Sequence, residues 1–541
     1  MFASEGTTRD APQRFIAFTR VFSGTLRVGD TIEVIGPRYD PSRPEAGHAS
    51  TATIKGLHLL MGRDLLDVNS VPAGCVCGIS GLEEHILKYS TLCSSRICRP
   101  LSFMSFQAQP IVRVALEPSN PLQQAELVQG LKLLNQADPC VETRIQDTGE
   151  LVVVAAGEMH LERCLKDLRE LFAKIEIHVS PPLVQFKETL AEPDAPRKAE
   201  TTVSTTANQL GEFTMRAIPL PQKIKNYLSK TAEQLQTMHA KAVAGEGTSG
   251  QAAVLNGLQE AFQSSGDEWK QEWPKFWAMG PKHAGPNILL NHIEGFRQKP
   301  DWLPDSLVHD TPVPDGAVAH KIEALQTSIL TGFQMSVNSG PLCEEPMEGV
   351  AFIIESIDIK GDDEEMEASI ETYGPWSGQV IAAVKEGCRN AFLEGDRRLV
   401  EALFDCEVQC SADALGKAYP VLNRRRARIV EERMKEGTEI FVIEAKLPVV
   451  ESFGLVDELR KQTSGAAQCQ LVMAGWEMMD SDPFWEPSTE EELEDTDLSD
   501  IMNARGAARK CMDLVRKRKG LAVEEKLVEA AEKQRTRARR K

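Results

Sequence analysis

Between residues 438 and 447 apolar and polar side chains alternate: Phe441, Ile443, Ala445 and Leu447 fall on one face, Glu444 and Lys446 on the other. A period of two marks a half-buried strand. The period then lengthens. From 452 to 463, Leu455 and Leu459 stand four apart on one helical face, and Ser452 is placed to cap the first turn. Arg460 and Lys461 lie at the negative end of the dipole, and Gly465 follows as a stop. A strand over 403–409, a helix from Ser411 and a closing strand over 470–478 complete the order β-α-β-β-α-β, a split βαβ or ferredoxin-like unit. Pro420 lies inside the first helical pattern. Having no N–H to donate, it should kink or end that helix.

The same succession of periods occurs upstream. An apolar strand over 111–116 leads to Asn120 as a cap with Pro121 in the first turn, and Leu127, Val128, Leu131 and Leu134 share one face. Strands over 141–145 and 151–155 follow, then a helix with Leu161, Leu165, Leu168 and Phe172 on one face and a strand over 175–179. This predicts a second split βαβ unit. Before it, short strands over 14–22, 26–28, 31–35, 51–60, 75–80 and 90–93 are punctuated by Ser23-Gly24, Gly29-Asp30, Gly36-Pro37 and Val71-Pro72-Ala73-Gly74, the spacing of a small β-barrel. Residues 1–10 carry no clear pattern. Between the two βαβ units, 191–209 reads as a Pro/Ala/Thr/Glu-rich linker, 216–220 as a strand, and 223–244 and 251–277 as helices parted by a Gly/Ser-rich stretch. Trp269, Trp273 and Trp277 recur every four residues, as in a helix core stripe or a docking edge.

The fold class is therefore multidomain α+β: a β-barrel truncated at its start (1–105), a ferredoxin-like domain (106–190) and an α+β domain with a helical insertion (191–402). A second ferredoxin-like domain (403–486) and an acidic linker with basic C-terminal helices (487–541) complete it.

Composition narrows the function. A formal net charge of −19 over 541 residues argues against a general nucleic-acid coat, because binding phosphates needs local positive charge. Charge is segregated, however: Arg424, Arg425, Arg426 and Arg428 form a basic run, 505–519 and 533–541 are basic, and 362–367 and 490–497 are acidic. Such segregation suits a protein that turns selected faces towards RNA or basic proteins. The twelve cysteines include Cys75-x-Cys77, Cys93-x4-Cys98 and Cys406-x3-Cys410, none with the paired spacing or histidine set of a zinc site, so buried reduced thiols are expected. No apolar run approaches the ~20 residues of a membrane helix, and no signal pattern opens the chain, which makes the cytoplasm the expected location.

The runs VLNRRRARIVEERMKEGTEIFVIEAKLPVVESFG, ELRKQTSGAAQCQLV and WEMMDSDPFW resemble the last domain of the translocating elongation factors, and most closely the elongation factor-like GTPase 1 family. RFIAFTRVFSGTLRVGDTIEVIGP resembles the second domain of translational GTPases, AAGEMHLERCLKDL the signature of the third, and GFQMSVNSGPLCEEPMEGVAFIIESIDI the centre of the fourth. The resemblance implies work in late large-subunit maturation: GTP-dependent release of eukaryotic initiation factor 6 from the large ribosomal subunit, together with the Shwachman–Bodian–Diamond syndrome protein. It also implies a monomer whose C-terminal helical segment folds back on the fourth domain, and GTP and Mg for the full-length family protein. No G-x4-G-K-[ST] or N-K-x-D run occurs, and Asp413-Ala414-Leu415-Gly416 matches D-x-x-G only within a helix. The expectation is a chain that lacks the N-terminal GTPase domain, with no catalytic, cofactor-binding or metal residues of its own. A diverged translocase and a freestanding, non-catalytic ribosome-binding adaptor are the alternatives.

Candidate residues follow from the same reading. Arg424, Arg425, Arg426 and Arg428 are candidate ribosome contacts. Glu158 and His160, in the third-domain signature, are candidates for interdomain positioning; no partner nucleophile makes His160 a base. Asp362, Asp363 and Trp376 mark the fourth-domain tip, where translocases carry a modified histidine and this chain has none between Val350 and Asp405.

Overall fold

The computed structural model describes residues 2–4, 13–37, 39, 41, 48–62, 64–101, 110–146, 149–192, 200–243, 251–293, 317–360, 372–435, 437–484 and 506–523. The chain divides into two compact units, 1–185 with 402–475 and 186–401 with 476–541. Among the described residues the α-helices are α1 (Gln124–Ala137), α2 (Glu158–Asp167), α3 (Gln222–Val243), α4 (Gln251–Ser264), α5 (Asp267–Glu272), α6 (Ala317–Asn338), α7 (Trp376–Glu394), α8 (Ala412–Arg424), α9 (Leu455–Thr463) and α10 (Ala507–Arg518).

In the first unit, Ala17–Arg20, Val76–Ser80, Gly56–Met61 and Asp64–Val68 form one antiparallel sheet, and Thr91–Cys93, Thr31–Ile35 and Ala49–Thr53 another. Val34, Ile54, Leu57, Cys77 and Ile79 fill the core between them. The single strand expected over 51–60 is two strands in different sheets, because the chain turns at Ile54, whose N–H and C=O are tied to Asp30 and Gly29. Phe2–Ser4 pairs antiparallel with Gln13–Phe15 in a two-stranded sheet separate from both of these.

The first βαβ unit is an antiparallel sheet in the order Glu142–Ile145, Leu151–Ala155, Val112–Pro118, Ile177–Val179. All five residues of Leu151–Ala155 are buried, as a central strand requires. Asn120 accepts from the Leu122 N–H at 3.1 Å, although the turn it opens is a 3-10 turn ahead of α1. The second helix keeps α geometry only to Asp167 and continues as a π turn over Leu168–Phe172.

In the second βαβ unit, residues 403–411 of the strand Arg397–Ser411 pair with Ile440–Pro448, which pairs with Arg428–Met434; Ala467–Met478 flanks the other side. The strand order matches that of the first unit. The alternation seen in the sequence holds, since Ile443, Ala445 and Leu447 join the core with Val408, Ala418, Leu422, Leu455 and Leu459. Two local features differ from the pattern: the helix does not end at Pro420, and Ser452 is not the cap. Helix α8 passes through Pro420 and ends at Arg424. The carbonyl that loses its donor belongs to Gly416, and both residues are exposed, so water can take the place of the missing bond. Ser452 does not cap α9: its hydroxyl donates to Val449 O at 2.7 Å, and the N-cap is Gly454, with φ 70° in the left-handed region that favours glycine.

The second unit is built on the sheet Thr202–Thr205, Gly211–Pro219, Val350–Ile359, Asn287–Asn291, Phe276–Gly280. The expected linker 191–209 therefore contains a strand, whose Thr/Ser alternation pairs with Gly211–Pro219. The expected helix 251–277 breaks at Gly266 (φ 124°), and Phe276 and Trp277 begin a strand. Trp273 is buried in the core of the helical insertion with Phe262, Leu255 and Leu258, and Trp269 packs against it. Lys187–Leu190, assigned above to the preceding domain, pairs with residues 397–400 and belongs here. Glu188 explains why. Fully buried, it accepts from the N–H groups of Leu342 (2.9 Å), Cys343 (2.9 Å) and Glu345 (3.2 Å), and burial pushes its pKa up to about 7. Helix α10 holds the same loop from its carbonyl side, with Arg516 on Leu342 O and Lys519 on Cys343 O and on the Glu345 carboxylate at 2.8 Å.

Candidate functional site

The signature AAGEMHLE opens α2 at the edge of the first βαβ unit. His160 Nδ1 accepts from the Ala156 N–H at 3.1 Å, so the single proton of the neutral ring lies on Nε2, which donates to Asp138 Oδ2 at 2.7 Å. Asp138 follows the last residue of α1 and also accepts from the Cys140 N–H at 2.8 Å. The His160 hydrogen bond holds the Asp138 carboxyl below its ordinary range, against the opposing effect of burial. His160 thus ties the end of one helix to the start of the next. Two neighbours attach to the tie. Lys88, from the barrel, donates to Pro139 O (3.2 Å) and Val141 O (2.6 Å) in the turn after Asp138, and Gln136 donates to Glu83 O and Ile86 O of the barrel. On the other side Glu158 Oε2 accepts from the Gly454 N–H at 2.8 Å, at the first turn of α9. Glu158 and His160 therefore stand at the joints joining the barrel, the first βαβ unit and the second.

The basic run divides. The Arg425 guanidinium, with 17% of its side chain exposed, grips Glu458 Oε2 through Nε (2.9 Å) and Nη2 (2.7 Å) and donates from Nη1 to Glu451 O and Phe453 O. It locks the end of α8 to the start of α9. Arg426, at φ 55°, reaches Glu451 at 3.5 Å. Arg424 bonds Glu458 Oε1 at 2.8 Å but leaves 69% of its side chain exposed. Arg428 lies on a strand opposite Lys446 and is exposed. The four cations differ in exposure: Arg424 and Arg428 are exposed, Arg425 and Arg426 half-buried.

Of the tip residues, Asp362 and Asp363 lie outside the described residues. Trp376 is half-buried and begins α7; a Cβ on Gly211 would come within 3.2 Å of its ring. It packs into the fold instead of projecting from it. The basic run and Trp376 belong to different units.

The partners that complete these sites, Asp138, Lys88, Gln136, Gly454 and Glu458, were not singled out from the sequence. Asp138 is legible in part, as an acid before proline just past an amphipathic helix. Lys88 and Gln136 carry no periodic signal. Among the described residues, Asp138, His160 and Cys164 gather metal-type ligand atoms within 4.8 Å of one another. The group does not fit Mg, which takes oxygen ligands. Nor does it present an open nitrogen, since ligation through Nε2 would strip the ring of its only proton. Burial and Asp138 push the Cys164 thiol up to about 12, against thiolate formation. No step through GTP or Mg is assigned to these residues.

Four family descriptions match the chain: "Elongation factor Tu domain 2" over 14–93, "Elongation Factor G, domain III" over 107–181, "Elongation factor-like GTPase 1-like domain" over 216–292 and "Elongation factor G C-terminus" over 398–486. The third covers the helical insertion. Over its length the chain is similar to "Elongation factor-like GTPase 1" of Mus musculus, at 38% identity across 98% of this chain and 56% of the relative. It is also similar to "Ribosome assembly protein 1" of Schizosaccharomyces pombe (41% identity, 98% of this chain, 54% of the relative) and of Saccharomyces cerevisiae (40%, 96% and 47%). The chain spans about half the length of the curated relatives it matches.

Proposed function

Because this chain is a relative of elongation factor-like GTPase 1 along nearly its whole length, we propose that it is the ribosome-facing part of a large-subunit assembly factor. In this reading it docks on the large ribosomal subunit in the cytoplasm as a monomer. Joined to a GTPase domain that binds GTP and Mg, it takes part in release of eukaryotic initiation factor 6, with the Shwachman–Bodian–Diamond syndrome protein as co-factor. The observation that carries the reading is its 40–41% identity to relatives named for ribosome assembly. The polar joints around His160 and Glu158 support it, since a factor that transmits a change between domains needs fixed contacts at their edges. Arg424 and Arg428 are the cations of the basic run best placed to meet RNA, while Arg425 serves the fold.

The sequence of the fourth-domain tip, Lys360-Gly361-Asp362-Asp363-Glu364-Glu365, favours assembly over translocation. Carboxylates repel RNA phosphates, so an acidic tip meets a basic protein or water better than messenger and transfer RNA. The test is to fuse residues 10–541 to a GTPase domain from an assembly relative and, separately, to one from a translocase. The proposal expects release of the anti-association factor from the first fusion. Peptide-chain elongation by either fusion, with no release by both, would overturn it.

A further inference from the structure

Cys406 and Cys469 stand on neighbouring strands of the second βαβ unit, with their Sγ atoms 3.5 Å apart. Both line the helix-side core, and they differ in access: Cys406 is 1% exposed, whereas Cys469 is only partly buried. They differ in acidity as well. The two thiols share one hydrogen bond in which either sulfur can donate; with Cys406 as donor it holds the Cys469 thiol below its ordinary value and raises that of Cys406. The more reachable sulfur is therefore also the one closer to a thiolate, the form that attacks oxidants. Closing to the disulfide length of about 2.05 Å asks for side-chain rotation of two residues already facing each other across a strand pair.

We propose that Cys406 and Cys469 form a peroxide-responsive modification site in which Cys469 is the attacking thiol and Cys406 the resolving one. The Cys469 thiolate attacks one oxygen of hydrogen peroxide. The O–O bond breaks, Cys469 becomes a sulfenic acid, and the departing hydroxide takes up the proton the thiol had lost. The Cys406 sulfur then attacks the Cys469 sulfur, the S–O bond breaks, and water leaves with the Cys406 proton. The two thiols lose two electrons, peroxide gains two, and the products are one disulfide and two waters. The new bond pins the flanking strand Ala467–Met478 to the strand beside it.

The test treats the reduced full chain with hydrogen peroxide, alkylates the remaining thiols under native and then denaturing conditions, and maps the peptides by mass. The expected result is a Cys406–Cys469 linked peptide, lighter by two hydrogens than the reduced pair and restored by dithiothreitol. Cys406→Ser should arrest Cys469 as a sulfenic acid that traps dimedone, and Cys469→Ser should slow oxidation of Cys406 by about tenfold. The exposed Cys98 serves as internal reference for oxidant exposure. Recovery of both Cys406 and Cys469 as free thiols when Cys98 is oxidised would overturn the proposal. So would a dimedone adduct at Cys406 in place of Cys469. The mapping on the unsubstituted chain decides whether the disulfide forms, and dimedone present during its oxidation labels the attacking thiol, so loss of folding in either variant leaves the test intact.

Discussion

The two split βαβ units share a strand order, an antiparallel pairing and a polar tie between their helices, yet they differ in how far the charges at their helix ends reach. In the second unit the strongest cluster points inward: Arg425, at the end of α8, closes on Glu458 in the first turn of α9 and on two carbonyls between them. In the first unit an inward tie, His160 to Asp138, is joined by polar groups that reach outward. His160 fixes the turn after α1, that turn takes Lys88 from the barrel, and Glu158 takes the Gly454 N–H. Topology alone therefore does not distinguish a closed unit from a connector. What distinguishes them is where the side chains at the helix ends go: those of the second unit close on it, whereas Lys88 and Glu158 carry the first unit's contacts to its neighbours.

If this contrast is right, the largest effect on stability comes from the inward cluster. Arg425→Ala removes four hydrogen bonds, leaving Glu458 with Arg424 alone and two carbonyls poorly paired, so the second βαβ unit should lose about 3 kcal/mol in chemical denaturation. A loss under about 1 kcal/mol would show the cluster to be solvated decoration. His160→Ala should cost less, about 2 kcal/mol, by unpairing Asp138 and the Ala156 N–H. It should also change the acid limb. The Asp138 carboxyl is held below its ordinary value, chiefly by His160, so the stabilisation is whole above about pH 4 and fades as pH falls through the lower folded pKa. In the variant that fading should flatten, and an unaltered acid limb would remove His160 from the tie.

Glu158→Gln should cost about 1 kcal/mol or less, because a single bond to Gly454 is weakened. Hydrogen exchange should quicken at the Gly454 amide and in the first turn of α9, with little change in the core strand Leu151–Ala155. Quickening throughout the first unit instead would make Glu158 a fold residue and blunt the comparison. The smallest stability effect, under about 0.5 kcal/mol, belongs to Arg424→Ala with Arg428→Ala, both exposed. Their signature should lie elsewhere, in weaker large-subunit binding with a shallower salt dependence.

What the sequence made legible follows from periodicity. Both βαβ units could be read because each buries one face of each element, and a repeat of two or 3.6 residues records that burial residue by residue. The misreadings occur where long-range partners override local pattern. Thr202–Thr205 looks like linker until Gly211–Pro219 lies beside it. Trp277 continues a helical four-residue repeat but is drawn into a sheet at Phe276–Gly280. Glu188 shows no sign in the sequence of the three amides that fix it, more than 150 residues away. The candidate sites were legible to a similar degree. Glu158 and His160 stood out as polar residues in a helix start, but Asp138, Lys88 and Gly454 are brought to them only by the tertiary fold. Three consecutive arginines and Arg428 read as one basic run, although a helix end and a strand start divide them between a half-buried clamp and exposed positions.

The most direct measurement of the central claim is co-sedimentation of the purified chain with isolated ribosomal subunits over a series of salt concentrations. The account predicts binding to the large subunit in clear preference to the small, falling steeply as salt rises and weakened by the paired Arg424→Ala and Arg428→Ala substitutions. Equal binding to both subunits, or none to the large subunit at low salt, would contradict it.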